Sequence, residues 1–121
     1  VPYGGIGYNK KNLSKKLNYL QNKELIEHLS KTTIDSLDFE EFFIKNKPKK
    51  DDFIFLDPPY DSEFSTYVQN KFTRQDQTRL AKYLIKDCEA NWMMIIKNTE
   101  FIYGLYDKKD IYITSFDKKY L

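Results

Sequence analysis

Asp57-Pro58-Pro59-Tyr60 places one carboxylate, rigid backbone carbonyls and one aromatic ring within four consecutive residues. Each proline fixes φ and lacks an N–H, so both stiffen the turn and stop whatever strand precedes it. A carboxylate and a carbonyl accept hydrogen bonds, and a phenol ring offers a flat apolar face. Together they suit a clamp for a planar, hydrogen-bonding substrate such as a nucleobase.

The residues before this turn must position it. Phe53-Ile54-Phe55-Leu56 is a short apolar run rich in aromatic and β-branched types, which predicts a strand. The run does not alternate, so both faces of the strand are expected to be covered, as for a central parallel strand. Asp57 then falls at the carboxyl end, where open α/β sheets carry their ligand sites.

A second buried strand is predicted over residues 92–96, ending at Lys97-Asn98, again beside that crevice. Asn98 would orient the site or cap a helix over residues 99–106 that buries Phe101, Ile102 and Leu105. Between the two strands, Thr73 and Asp76 form a capping-box pair that opens a helix over residues 74–86. Leu80, Leu84 and Cys88 make one i,i+4 row on it, and Ala81 and Ile85 another, so Cys88 reads as a buried small hydrophobe. Arg74 and Arg79 would meet phosphate or solvent.

Upstream, residues 1–12 read as loop or turn, and Gly4-Gly5-Ile6-Gly7 is too sparse for a nucleotide-binding loop. Short helices are expected over residues 14–20 and 22–30. His28 has no metal-ligand partner motif, and no metal is expected. Residues 32–37 read as a strand. Asp38 would cap the helix that follows, with Glu41 completing the pattern and Phe39, Phe42 and Phe43 packing it on the sheet. Residues 46–50 make a basic, polar turn at the far end of the central strand. Residues 61–71 form a polar loop with Phe64 and Tyr67, and Phe72 follows. These aromatics would stack on a flipped base or fold down as a local patch. Residues 111–114 read as a last strand.

The 121 residues are enough for one domain, and 40% hydrophobic with 17% aromatic residues permits a packed core. Twenty basic against 18 acidic residues leaves a charge of +2, which does not announce a nucleic-acid binder by itself. Arg74 and Arg79 are the arginines; lysine supplies the rest. The single Cys88 excludes an intrachain disulfide. Neither a membrane-length apolar run nor a secretory signal is visible, so a soluble, cytoplasmic protein is the expectation.

Asp57-Pro58-Pro59-Tyr60 resembles the catalytic motif of amino-methyltransferases that act on nucleic acid. Phe64-Ser65-Thr66-Tyr67, Phe72-Thr73, Gln77 and Leu80-Ala81 follow it as in Dam-type (D12 class) DNA adenine N6-methyltransferases. Asp38-Phe39 and Val1-Pro2-Tyr3-Gly4 also fit, whereas Lys97 stands where relatives more often carry a small hydroxyl residue. The resemblance covers most of the chain. It implies an α/β fold: a partial Rossmann-like sheet of an S-adenosylmethionine-dependent methyltransferase with flanking helices, about four strands of a seven-stranded whole.

Residues 1–121 would be the C-terminal part of the catalytic domain, without the glycine-rich cofactor loop and target-recognition domain of the family. Asp57, Pro58, Pro59 and Tyr60 would be catalytic. Asp38, Phe39 and Asp57 would contact S-adenosylmethionine. Tyr60, Phe64, Tyr67, Phe72 and Asn98 would contact an adenine flipped from double-stranded DNA. A plain helix cap at Asp38 is compatible with its cofactor role. Asp57 and the Pro58 carbonyl would accept the two N6 hydrogens, and Tyr60 would stack on the base.

Many relatives methylate adenine in GATC, and the resemblance leaves open a restriction–modification, phage or housekeeping role. A half-sheet exposes an edge, so self-association or pairing with a missing N-terminal half is expected. Three other readings stand beside this one. The amino group methylated would belong to cytosine N4, RNA or protein; the chain would be a non-catalytic piece, split half or remnant; or the motif would only end a strand in an unrelated α/β domain.

Overall fold

The computed structural model describes residues 6–61 and 72–117, with side chains from residue 11 onward. The chain divides into two compact units, Val1–Ser36 and Leu37–Leu121.

The first unit is helical. Helix α1 spans Ile6–Leu20 and α2 spans Lys23–Ser30. The loop expected over residues 1–12 therefore gives way to helix from Ile6, despite Gly7. Asn22 caps α2: its side chain accepts from the N–H groups of Glu24 (2.8 Å) and Leu25 (3.4 Å). None of the unit's described side chains is buried, and Leu13, Leu17 and Leu20 are all exposed. The strand expected over residues 32–37 does not form. Thr32 instead donates its hydroxyl to the His28 carbonyl (2.7 Å) at the end of α2, and among the described residues no strand includes the residues just beyond it.

The second unit holds the sheet. Its order is α3 (Phe39–Lys45), β1 (Phe53–Leu56), α4 (Arg74–Lys86), β2 (Asn91–Met94) and α5 (Glu100–Tyr106). β1 and β2 form a two-stranded parallel sheet in which Ile54 pairs with Trp92 and Leu56 with Met94. The Ile95 N–H donates to the Leu56 carbonyl at 3.0 Å, one step beyond β2. A parallel pair needs a long crossover, and α4 lies within it. The strands expected beyond these do not appear among the described residues. Residues 111–114 are β-branched and aromatic, but Tyr112 is fully exposed and no strand among the described residues pairs with the segment.

Local signals set the helix ends. Thr73 and Asp76 close the capping box of α4: the Thr73 N–H donates to Asp76 Oδ2 at 2.7 Å and the Asp76 N–H to Thr73 Oγ1 at 3.3 Å. Asp38 caps α3 through Glu40 N–H at 3.0 Å. Thr99, not Asn98, caps α5 through Ile102 N–H at 3.2 Å.

The core gathers Phe43 of α3, Leu80, Ala81 and Leu84 of α4, and Ile102 and Tyr106 of α5. Ile54 and Leu56 of β1 and Trp92 and Met94 of β2 pack against it. Phe43 stacks on Tyr83 with ring centroids 4.5 Å apart. Burying each such side chain stabilises by roughly 1.5–3 kcal/mol. Burial also pushes the Tyr106 phenol up to about 12. Cys88, expected to be buried, is half-buried, its Sγ 3.6 Å from the Ala90 carbonyl, and Ile85 is exposed.

The expectation that both faces of β1 are covered is overturned. Phe53 and Phe55 are 64% and 58% exposed, while their neighbours Ile54 and Leu56 face the core. α3, α4 and α5 pack on one side of the pair, so the period of two in a strand leaves alternate residues outside. Among the described residues no helix is long and apolar enough to cross a membrane.

Candidate functional site

The ladder ends where the sequence changes character. Leu56 is the last residue of β1, and the carboxyl-end residue Asp57 follows directly. Pro58 and Pro59 have no N–H to continue the pairing. Asp57 is exposed, and among the described residues nothing hydrogen-bonds or ion-pairs with its carboxylate. Pro58 is half-buried, and the Tyr60 ring is 48% exposed. The turn thus presents an acid and an aromatic ring outward.

Two neighbours are held from behind. The Pro59 carbonyl accepts a 2.8 Å hydrogen bond from Nε2 of Gln77 on α4. A carbonyl can only accept, so the amide nitrogen must face it. Asp61 forms a paired contact with Arg74, Nε to Oδ1 at 3.0 Å and Nη2 to Oδ2 at 3.1 Å. The Thr99 hydroxyl lies 3.3 Å from Asp61 Oδ2. The Arg74 hydrogen bonds and charge, helped by Thr99 and Lys97, hold the Asp61 carboxyl below the usual carboxylate range against the opposing effect of burial. Arg74 in turn lies 4.9 Å over the Phe101 ring. Asp61 therefore ties the end of the turn to the first residue of α4 and to the cap of α5.

Arg79 organises the next patch. It contacts Asp76 at 2.8 Å, Glu40 at 2.6 Å and Asp38 at 3.3 Å, and its guanidinium sits 4.7 Å over Phe39. Its hydrogen bonds to Asp76, Asp38 and Glu40 raise its already high pKa. Asp76 is lowered to about 2, chiefly by the Thr73 hydroxyl and then by the Thr73 N–H and Arg79. Arg74 and Arg79, read from sequence as meeting phosphate or solvent, are thus both engaged by carboxylates.

Asp38 caps α3 with one oxygen and receives Arg79 on the other. Phe39 is half-buried, with Phe43 at 6.4 Å and Phe72 at 5.9 Å between centroids. Phe72 is itself half-buried against the core. Asn98 is exposed and donates Nδ2 to Ser115 Oγ at 2.9 Å. It lines a shallow depression of about 410 Å³ with Thr99, Glu100, Tyr103 and Gly104. Phe64 and Tyr67 lie outside the described residues. Among the described residues no group of three or more His, Cys, Asp or Glu side chains is arranged to hold a metal.

Asp38, Phe39, Phe72 and Arg79 are one contiguous network around α3 and α4, Gln77 joins α4 to the turn, and Asp61 joins α4 to the cap of α5. Sequence reading did not find the roles of Asp61 and Gln77. Asp61 is 13 residues from Arg74 and Gln77 is 18 from Pro59, so no local pattern links them. One signal was available: a glutamine among the inward residues of an otherwise apolar helix stripe.

The chain is 36% identical over 100 residues to a protein named Type II methyltransferase M.CviBI from Paramecium bursaria Chlorella virus NC1A. The match takes in 82% of this chain but only 36% of that relative's length. No solved structure matches. The family described as D12 class N6 adenine-specific DNA methyltransferase matches residues 1–119, nearly the whole sequence and the Asp57–Tyr60 turn with it. With the motif standing at the carboxyl end of a parallel strand, the chain belongs to the D12 class of N6 adenine-specific DNA methyltransferases.

Proposed function

We propose that the whole protein to which these residues belong transfers a methyl group from S-adenosylmethionine to N6 of adenine in DNA, residues 1–121 forming the C-terminal part of its catalytic domain. The observation that carries this reading is the placement of Asp57-Pro58-Pro59-Tyr60 just past the β1 ladder, in a chain matched to the family over residues 1–119. Asp57 and Asp38, both exposed carboxylates, fit a cofactor bearing a sulfonium and an amino group. Asp38 retains lone pairs beyond those used by Glu40 N–H and Arg79. S-adenosylmethionine, when bound, supplies an electrophilic methyl group.

The work of this chain is on the amine. The N6 lone pair of adenine is delocalised into the ring and nucleophilically weak. Asp57 accepts one N6 hydrogen and the Pro58 carbonyl the other, which draws the nitrogen toward tetrahedral geometry. Tyr60 stacks on the extruded base. No covalent enzyme intermediate is needed, and positioning with preorganised acceptors supplies the gain. Asp57 need not be a strong base, because the methylated amine is acidic and loses its proton readily.

The bare outer face of the sheet favours a second reading for the 121 residues taken alone: a piece that turns over only with the rest of its sheet, whether a missing N-terminal half or a second copy. A restriction–modification setting is one home for the whole enzyme.

Asp57→Ala in the whole protein tests the main reading. Methyl incorporation from labelled cofactor should fall on the order of 10²- to 10³-fold, with circular dichroism unchanged. Nucleoside analysis of the wild-type product should give N6-methyladenine. N4-methylcytosine would move the substrate assignment, and undiminished transfer would remove Asp57 from the chemistry.

A further inference from the structure

Gln77 is 1% exposed, the most buried polar side chain among the described residues. Its helical neighbours on the same side, Leu80, Ala81 and Leu84, are apolar. Its Oε1 is buried without a partner among the described residues, while its Nε2 donates to Pro59. Burying a half-satisfied amide costs about 1–3 kcal/mol relative to an apolar side chain. Packing alone therefore favours leucine here, and what the amide gains in return is the Pro59 carbonyl.

That carbonyl has few other means of support. Pro58 and Pro59 carry no N–H, and among the described residues no backbone–backbone hydrogen bond joins any two of residues 57–61 to each other. The turn is held by side chains: Gln77 on the Pro59 carbonyl, and Arg74 with Thr99 on Asp61. Tyr60 lies between these two anchors with its ring half exposed. The Pro58 carbonyl lies one residue before the first anchor. Fixing the peptide plane after Pro59 limits rotation on both sides of it, because the proline φ angles are already locked.

We infer that Gln77 is a positioning residue: by holding the Pro59 carbonyl it aims the Pro58 carbonyl and the Tyr60 ring at the base. The inference rests on the methyl-transfer reading above and assigns that site a support that acts from beneath it. Gln77 touches neither base nor cofactor.

The test compares Gln77→Leu and Gln77→Glu with wild type in the whole protein, below the melting temperature of each, using S-adenosylmethionine and adenine-containing duplex DNA. Leucine keeps bulk and removes the donor. kcat should fall tenfold to a hundredfold, with KM for both substrates within about threefold. Glutamate is the sharper probe. Ionised, it repels the carbonyl; protonated, it donates an O–H to it. Burial raises its pKa, so the activity of Gln77→Glu relative to wild type should climb as pH falls, whereas that of Gln77→Leu should not.

Wild-type kcat in Gln77→Leu, or a loss that only tracks the unfolded fraction, overturns the inference while leaving the methyl-transfer reading intact. If Gln77→Leu does not fold, the pH profile of Gln77→Glu decides, and a profile parallel to wild type overturns it. If wild type itself transfers no methyl group, the reading above falls, and backbone ¹⁵N relaxation still judges Gln77. Order parameters at Tyr60 and Asp61 should drop from about 0.85 toward 0.6 in the variants; unchanged values reject the role.

Discussion

On the inner face of the β1–β2 ladder, Ile54, Leu56, Trp92 and Met94 lie against a core built from α3, α4 and α5. On the outer face, Phe53, Phe55 and Met93 are 64%, 58% and 51% exposed. The residues alternate along the same four-residue strands, so strand propensity and local sequence do not distinguish them. The difference lies in what packs. The crossover helix and its neighbours fill one side and deliver Arg74, the first residue of α4, and Thr99, the cap of α5, to the end of the turn that carries Asp57 and Tyr60. The inner face is thus both the core and the foundation of the candidate site, and the outer face contributes to neither in these residues.

The largest effect on stability should come from the inner side. Leu80 is 2% exposed and meets Phe43, Leu84 and Ile102 in one cluster. Leu80→Ala should destabilise by about 2–5 kcal/mol, read by equilibrium urea denaturation. A loss below about 1 kcal/mol would mean that the packed face is not the core and would erase the contrast between the two sides.

What could be read from sequence follows this division. The apolar run 53–56, the Thr73–Asp76 box and the Asp38 cap are local signals, satisfied within a few residues, and they placed β1, α3 and α4 with the acid at the strand end. The apolar residues of 99–106 placed α5, with its cap read one residue early, at Asn98 instead of Thr99. The outer face was misread because an unbroken apolar run looks the same whether one side or both are covered; only the packed partners decide. Residues 111–114 have strand composition but no neighbour to pair with among the described residues, and composition cannot supply one. The supports of the turn, Gln77 to Pro59 and Arg74 to Asp61, join residues that only the tertiary fold brings together. So the exposed turn of the candidate site was legible, and the contacts that hold the turn were not.

A smaller effect should come from the rim that joins α3 to α4. Asp76 accepts from both the N–H and the hydroxyl of Thr73 at 2.7 Å and meets Arg79 at 2.8 Å. Its carboxyl is lowered from 3.8 to about 2. A depressed acid leaves the unfolded chain holding more protons between these values, so stability rises with pH there. Its contribution is full above about 3.8 and is lost as pH falls toward 2. Asp76→Asn should cost on the order of 1 kcal/mol at neutral pH and flatten the stability slope across that acid window. An unchanged slope would mean that the box and its arginine do not hold the ionised form.

The smallest effect should fall on the outer face, where it sharpens the comparison most. Threonine retains strand propensity, so Phe55→Thr removes a ring without penalising the ladder. In the 121-residue chain the change should move stability by no more than about 0.5 kcal/mol, since Phe55 is already 58% exposed. Measured again in the whole protein, the same substitution reports on what lies over that ring. A cost of about 3 kcal/mol there would mean that further elements pack on the outer face, and that the two sides of the ladder become equivalent only when the sheet is complete. A cost that stays small in both settings would leave the asymmetry as a property of the finished molecule, with the exposed aromatics Phe53 and Phe55 as a surface for association rather than a core awaiting its second layer.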